Sequence, residues 1–134
     1  MSPHPPSTPI TPAHTVAQLI AHDLSARRAI SHAPERGAFL LEIDAGNGEA
    51  ETWTVLWGPS SLQLLRGATV PPMVPWGALH TSEGALLALV RGQESAAELL
   101  ATGRLQTRGD GRVLRAVAAS LRPGQSWLAV QTRR

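Results

Sequence analysis

The stretch from Thr81 to Ser120 contains two short apolar segments, and each of them ends at a glycine. A glycine that follows an apolar segment of helical spacing is a typical helix stop, so the sequence predicts two short helices ending at Gly92 and Gly103. In residues 104–108 basic and apolar residues alternate, which predicts a strand. Asp110 is a favourable N-cap for another helix. These pieces are apolar on one side and contain no catalytic constellation. They therefore predict a wall around an apolar cavity rather than a set of reacting groups.

Capping residues mark where the helices begin. The capping-box spacing, in which Ser or Thr is followed three residues later by Glu or Gln, occurs at Thr15/Gln18 and at Ser95/Glu98. Ser82 or Thr81 precedes the helix that ends at the first glycine. The helix after Asp110 has an apolar stripe formed by Val113, Leu114, Val117 and Leu121.

The first half of the chain predicts an antiparallel meander. Apolar side chains alternate with other residues in segments 38–43, 51–57 and 61–66, and turn-forming residues separate these segments. A side-chain period of two places Trp53, Val55 and Trp57 on one face. A fourth strand is predicted at about 76–81, after a proline-rich segment that is unsuited to a central strand.

These elements predict an α+β fold, in which a five-stranded, mostly antiparallel sheet is covered on one face by helices. A chain of 134 residues is long enough for one core, and we assign residues 15–134 to a single domain. Residues 1–14 contain five prolines among small polar residues, so we expect a disordered proline-rich tail. Residues Trp127–Val130 predict either a last edge strand or an extended arm.

The composition argues against several kinds of site. Cysteine is absent, which excludes disulfides and thiolate metal sites. The net charge is only +2, so a strong basic patch for nucleic acid is not expected. No apolar segment reaches the ~18–20 residues of a membrane span, and the amino end lacks a signal-peptide pattern, so we expect a cytoplasmic protein. The five histidines lack zinc-site spacing and no G-x-S-x-G motif occurs, so we expect no metal, no cofactor and no catalysis.

The carboxyl half resembles the sterol carrier protein type-two family of nonspecific lipid-transfer domains. The resemblance rests on Glu83–Gly92, Ser95–Gly103 and Arg104–Asp110, and it is looser over the first two strands. These segments are similar to that family's leucine-bearing helix ending in Gly, its short helix ending in Gly, its basic strand and its Gly-Asp helix start. The resemblance implies an apolar tunnel between sheet and helices that holds sterols, fatty acyl chains, acyl-CoA or isoprenoid lipids. The ending Gln131–Arg134 differs from the Ser-Lys-Leu type that some relatives carry.

The predicted lipid-binding residues are those that would line such a tunnel. Trp53 and Trp57 suit its floor, and Trp76 suits its mouth or a membrane interface. The walls are predicted to contain Leu86, Val90, Leu100, Leu105, Val113 and Val117. The same side chains also suit a closed core, and the two interpretations differ in whether the helices stand off from the sheet.

We therefore hypothesise that the chain binds or carries a hydrophobic lipid (fatty acyl, sterol-like or isoprenoid) without catalysis. Each buried methylene contributes ~0.8 kcal/mol, whereas one arginine contact contributes ~1.5–3 kcal/mol, so apolar walls decide binding and polar groups orient the ligand. One alternative is a noncatalytic scaffold or accessory factor that presents a lipid to a partner enzyme of lipid or quinone biosynthesis. Transient contact with a membrane surface is compatible with both.

Two further alternatives have less support in the sequence. A lipid-modifying enzyme would need a nucleophile or base that the motifs do not supply. A nucleic-acid binder would have to use Arg104, Arg108, Arg112 and Arg115.

Overall fold

A computed structural model describes residues 11–27, 34–45 and 48–118. The helices are α1 (Pro12–Arg27), α2 (Glu83–Val90), α3 (Ala96–Ala101) and α4 (Gly111–Ala118). The strands are β1 (Gly37–Asp44), β2 (Ala50–Gly58), β3 (Ser61–Arg66), β4 (Trp76–Ser82) and β5 (Leu105–Gly109). The α+β class and the five strands are thus confirmed. The predictions for residues 1–10, for Leu121 and for Trp127–Val130 concern parts of the chain outside the described residues.

The five strands form one sheet in the order β3-β2-β1-β4-β5. Three of the four neighbouring pairs are antiparallel, and β1 with β4 is the parallel pair. The register of the parallel pair sets Phe39 opposite Gly77 and Leu41 opposite Leu79. Strands that are far apart along the chain therefore share the centre of the sheet.

One face of the sheet carries the core. Phe39, Leu41 and Ile43 alternate along β1 and are almost completely buried. Trp53, Val55 and Trp57 occupy the same face of β2 and are also buried, as their spacing predicts. All four helices contribute buried side chains to this one apolar cluster, so the helices cover this face of the sheet.

The first helix begins earlier than the sequence predicts. We expected a cap at Thr15, but the helix starts at Pro12, and the hydroxyl of Thr11 accepts a hydrogen bond from the His14 N–H at 3.1 Å. Proline is favourable at the first helical position because its fixed φ suits the helix and its missing N–H has no partner there. The Thr11 hydroxyl also donates to Glu51 at 2.6 Å, which attaches this end of the helix to β2. Residues 12–14, assigned above to the tail, therefore belong to the first turn of α1.

The opposite face of the sheet is crossed by residues 67–75, which we call the crossing segment and which lead from β3 to β4. Thr54 on this face is fully buried. Its hydroxyl donates to the Gly67 carbonyl at 2.6 Å and accepts from the Thr69 N–H at 3.1 Å. One side chain therefore satisfies two backbone groups and holds the start of the crossing segment against β2.

We predict that Thr54→Val lowers the free energy of unfolding by about 1–3 kcal/mol. Valine has nearly the same shape, but it leaves the Gly67 carbonyl and the Thr69 N–H without this partner. Denaturant titration measures the change. Thr52→Val is the matched control because Thr52 lies on the same strand and face and is only half-buried; its effect should stay within about 0.5 kcal/mol. Equal losses in the two variants would contradict this role of Thr54.

Candidate functional site

An apolar cleft of about 220 Å³ lies between α3, α4 and the sheet. Eight of the ten side chains that line it are apolar: Phe39, Leu79, Ala96, Leu100, Leu105, Leu114, Val117 and Ala118. The other two, Thr107 on β5 and Arg115 on α4, are exposed at its rim. The described lining therefore provides apolar contact area and two polar groups that can donate hydrogen bonds.

The floor of the cleft depends on a close approach between α4 and the sheet. Phe39 comes from β1 and Leu79 from β4, and both are buried. Gly77 lies opposite Phe39, and a Cβ atom at this glycine would lie 3.0 Å from the Leu114 side chain and 3.1 Å from Val113. Since such contacts are too tight for most Cβ atoms, a glycine at this position lets α4 pack directly on β4.

Asp110 holds the start of α4 in place. Its carboxylate accepts a hydrogen bond from the Arg112 N–H at 2.8 Å and another from the Arg112 guanidinium at 2.9 Å. Its own N–H donates to the Trp76 carbonyl at 2.7 Å, which joins the helix start to β4. The N-cap that the sequence predicts is therefore also an anchor between helix and sheet.

The opposite wall is the short helix α3. Both hydrogen bonds of the predicted capping box are present, between Ser95 and Glu98. Leu99 is fully buried in the core, whereas Leu100 lines the cleft and is 46% exposed. Burial of Leu99 anchors the helix and leaves its neighbour at the entrance of the cleft.

Two other cavities have a different character. One of about 290 Å³ lies between α1 and α2, with Val16, Leu19, Leu87 and Val90 beside Thr11, Pro12, Thr15 and Arg91. The other, of about 580 Å³, lies beside Trp76 and has Met73, Val74, Pro75, Gly109, Asp110 and Arg112 around it. Both have a larger polar share in their lining than the cleft of α3 and α4.

The structure distributes the predicted lipid-binding residues over several places. Leu100, Leu105 and Val117 line the cleft of α3 and α4 together. Val90 lines the cavity between α1 and α2, and Trp76 lines the one at the end of the crossing segment. The Trp76 ring lies under the Arg108 guanidinium, 5.7 Å from its centroid.

The other four predicted residues line none of these three cavities. Leu86 and Val113 are fully buried in the core. The ring of Trp53 stacks on that of His14 with 4.3 Å between centroids, and its N–H donates to Glu51 at 2.6 Å. The N–H of Trp57 donates to the Pro34 carbonyl at 2.9 Å. A part for these four in lipid binding stays a prediction.

Several lining residues were absent from the predicted set, namely Phe39, Leu79, Ala96, Thr107, Leu114, Arg115 and Ala118. The stripe of α4 already included Leu114. Phe39 and Leu79 meet only through the parallel pairing of β1 with β4, for which the local sequence carries no signal. Thr107 and Arg115 have ordinary surface side chains, and only their position beside the cleft distinguishes them.

Three arginines in the segment from β5 to α4 and just before it are paired with carboxylates. Arg104 binds Glu94, Arg108 binds Glu42 through two contacts of 2.8 and 2.9 Å, and Arg112 binds Asp110. The hydrogen bond from Arg108 holds the pKa of Glu42 below its ordinary value. The hydrogen bond from Arg112 lowers the pKa of Asp110 to about 2.

Several solved structures of sterol carrier protein 2 domains share this architecture. The domain of Helicoverpa armigera superposes with a TM-score of 0.65, at 9% identity, over 94% of this chain and 96% of its own length. The Aedes aegypti protein in complex with palmitate gives 0.60 at 15% identity, over 82% and 94%. The apo protein of Yarrowia lipolytica gives 0.54 at 20% identity, over 81% and 75%.

This chain has the sterol carrier protein 2 fold. No protein-family model matches its sequence, and no curated protein matches it either. The sterol carrier protein 2 fold is thus reached here by a sequence that shares at most about one residue in five with the three structures above. Within the ranges that the structure describes, no helix is both long and apolar enough to cross a membrane.

We predict that Asp110→Asn flattens the dependence of stability on acid. Asp110 has a pKa of about 2 when folded, against an ordinary value of 3.8. Its charged form therefore stabilises the native state above about pH 4, and this contribution is lost as the pH falls toward 2. Asparagine still caps the helix but does not titrate, so the decrease in unfolding free energy over this interval should be smaller in the variant.

Denaturant titrations of both proteins at several pH values measure this difference. Glu42 titrates in both, so its effect cancels in the comparison. Parallel curves for the two proteins would contradict the pairing of Asp110 with Arg112.

Proposed function

We propose that this chain binds a hydrophobic lipid in the cleft formed by α3, α4 and the sheet, and carries it without changing it chemically. The apolar lining of the cleft is the observation on which the proposal depends. The fold supports it, since a protein of this fold from Aedes aegypti has been solved in complex with palmitate. A partner enzyme, a transient membrane contact and a cytoplasmic location stay predictions from the sequence.

The energetics favour a hydrocarbon ligand. An acyl chain gains ~0.8 kcal/mol for each methylene removed from water, so a few buried methylenes outweigh any single polar contact. Ligand pockets commonly have volumes of roughly 300–1,000 Å³, and this cleft has about 220 Å³. The cleft as it stands therefore holds part of a long chain, and the remainder must extend past Leu100 or displace α3.

The chemistry of the lining supports a carrier rather than an enzyme. The guanidinium of Arg115 has N–H donors and no acceptor, so it cannot act as a general base. Thr107 is the only hydroxyl among the described lining residues, and no His, Asp or Glu lies with it in that set. A nucleophile needs such a base beside it.

Native mass spectrometry of the purified protein, together with organic extraction of any bound lipid, tests the proposal directly. Titration of the delipidated protein with a fluorescent fatty-acid probe, followed by displacement with unlabelled dodecanoate, measures binding in solution. We expect a one-to-one complex with micromolar or tighter affinity. Absence of co-purified lipid combined with no probe binding at micromolar concentration would refute the proposal.

We predict that Ala96→Phe weakens dodecanoate binding by at least about tenfold, which corresponds to ~1.4 kcal/mol. Ala96 is half-buried and lines the cleft, so a benzyl group at this position fills space that the ligand would occupy. Ala97→Phe is the matched control, because Ala97 is the next residue of α3, is exposed and is not part of the lining.

The same displacement titration gives both affinities, and thermal unfolding confirms that each variant is folded. The control should bind within about twofold of the wild type. Equal affinity in the two variants would place the ligand elsewhere.

A further inference from the structure

Arg115 differs from the three arginines that precede it between residues 104 and 112. Arg104, Arg108 and Arg112 are each neutralised by a carboxylate. Among the described residues, Arg115 forms no ion pair or hydrogen bond with another side chain. It is nevertheless the arginine that lines the apolar cleft.

None of the acidic side chains of this protein pairs with Arg115. The chain contains ten Asp and Glu residues, and all of them lie in the ranges that the structure describes. The guanidinium of Arg115 therefore has N–H donors available for a ligand at the cleft.

The position of the guanidinium suits a head group at the rim. The Arg115 side chain runs back along α4, and its Nη1 would lie 3.8 Å from a Cβ atom at Gly111. The guanidinium is thus close to the first turn of α4, where the helix dipole also favours negative charge. Thr107 is exposed on the neighbouring strand β5 and supplies a hydroxyl to the same cleft.

We propose that the cleft selects an unbranched fatty acid, whose carboxylate binds Arg115 and Thr107 at the rim while its chain enters between Leu79, Leu114 and Val117. This inference rests on the proposed function, since it assumes that a lipid occupies the cleft. Arginine binds carboxylates through two parallel N–H···O contacts, which fix the orientation of the ligand as well as its charge.

The small volume of the cleft favours a single chain over a ring system. Its volume of about 220 Å³ equals roughly seven water molecules at ~30 Å³ each, and a methylene group is close to water in size. A linear chain can fill such a volume one methylene at a time and leave its remainder outside. A rigid fused-ring lipid has to enter as one unit and therefore needs a larger volume. Affinity for a series of fatty acids should therefore rise about fourfold per methylene up to roughly seven or eight methylenes, and more slowly beyond.

The test compares dodecanoate with dodecanol, which has the same chain and a neutral head group. Displacement of a fluorescent probe gives both affinities for the wild type and for Arg115→Gln, Arg115→Lys and Arg91→Gln. Arg91 is the matched control, because it is also exposed and has no ion pair among the described residues, but it lies at the cavity between α1 and α2.

We expect the wild type to bind dodecanoate at least about tenfold more tightly than dodecanol. Arg115→Gln should abolish this preference without weakening dodecanol binding, Arg115→Lys should restore part of it, and Arg91→Gln should leave it unchanged. The inference is overturned if the wild type has no preference, if Arg115→Gln weakens both ligands equally, or if Arg91→Gln causes the same loss. If the wild type binds neither ligand, the proposed lipid-binding function fails as well.

Discussion

The parallel pairing of β1 with β4 is the constraint on which the cleft depends. It joins the amino-terminal meander to the strand that leads into the three short helices, and it brings Phe39 and Leu79 onto one floor. The same register sets Gly77 where α4 has to come closest to the sheet. Without this pairing the meander and the helices would each have an uncovered apolar face. The crossing segment, held by Thr54 on the other side of the sheet, is what makes the pairing possible.

The cleft combines apolar walls with a single charged lining residue, Arg115, which forms no ion pair among the described residues. Arginines 104, 108 and 112 are each paired with a carboxylate, namely Glu94, Glu42 and Asp110. Such exposed pairs contribute little to stability individually, but they leave few free charges beside the apolar surface. Dispersion and hydrophobic contacts would supply most of the affinity for any ligand in such a cleft.

Local signals in the sequence predicted the elements well, and contacts between distant segments limited the prediction of the site. The capping box at Ser95 and Glu98, the N-cap at Asp110 and the alternation around Trp53 each act within a few residues, and each appears in the structure as predicted. The side of a helix that faces a cavity depends instead on how the whole helix is placed. Leu86 and Leu100 both lie in short helices rich in Leu and Ala. Leu86 is nevertheless fully buried in the core, whereas Leu100 is exposed at the entrance of the cleft. Pro12 was predicted to belong to the tail although it begins α1, because a proline that ends a proline-rich tail and one at the first helical position look alike in the sequence.

The wide separation of β1 and β4 along the chain also determines when the cleft can come into existence during folding. Hairpins such as β1–β2 close short loops and can form early, whereas the contact between Leu41 and Leu79 must await the passage of the crossing segment over the sheet. Until that step is complete, the sheet surface against which helices α3 and α4 pack does not exist. The cleft between α3, α4 and the sheet is therefore among the last parts of the molecule to be assembled, and the apolar strands stay exposed to water until it closes.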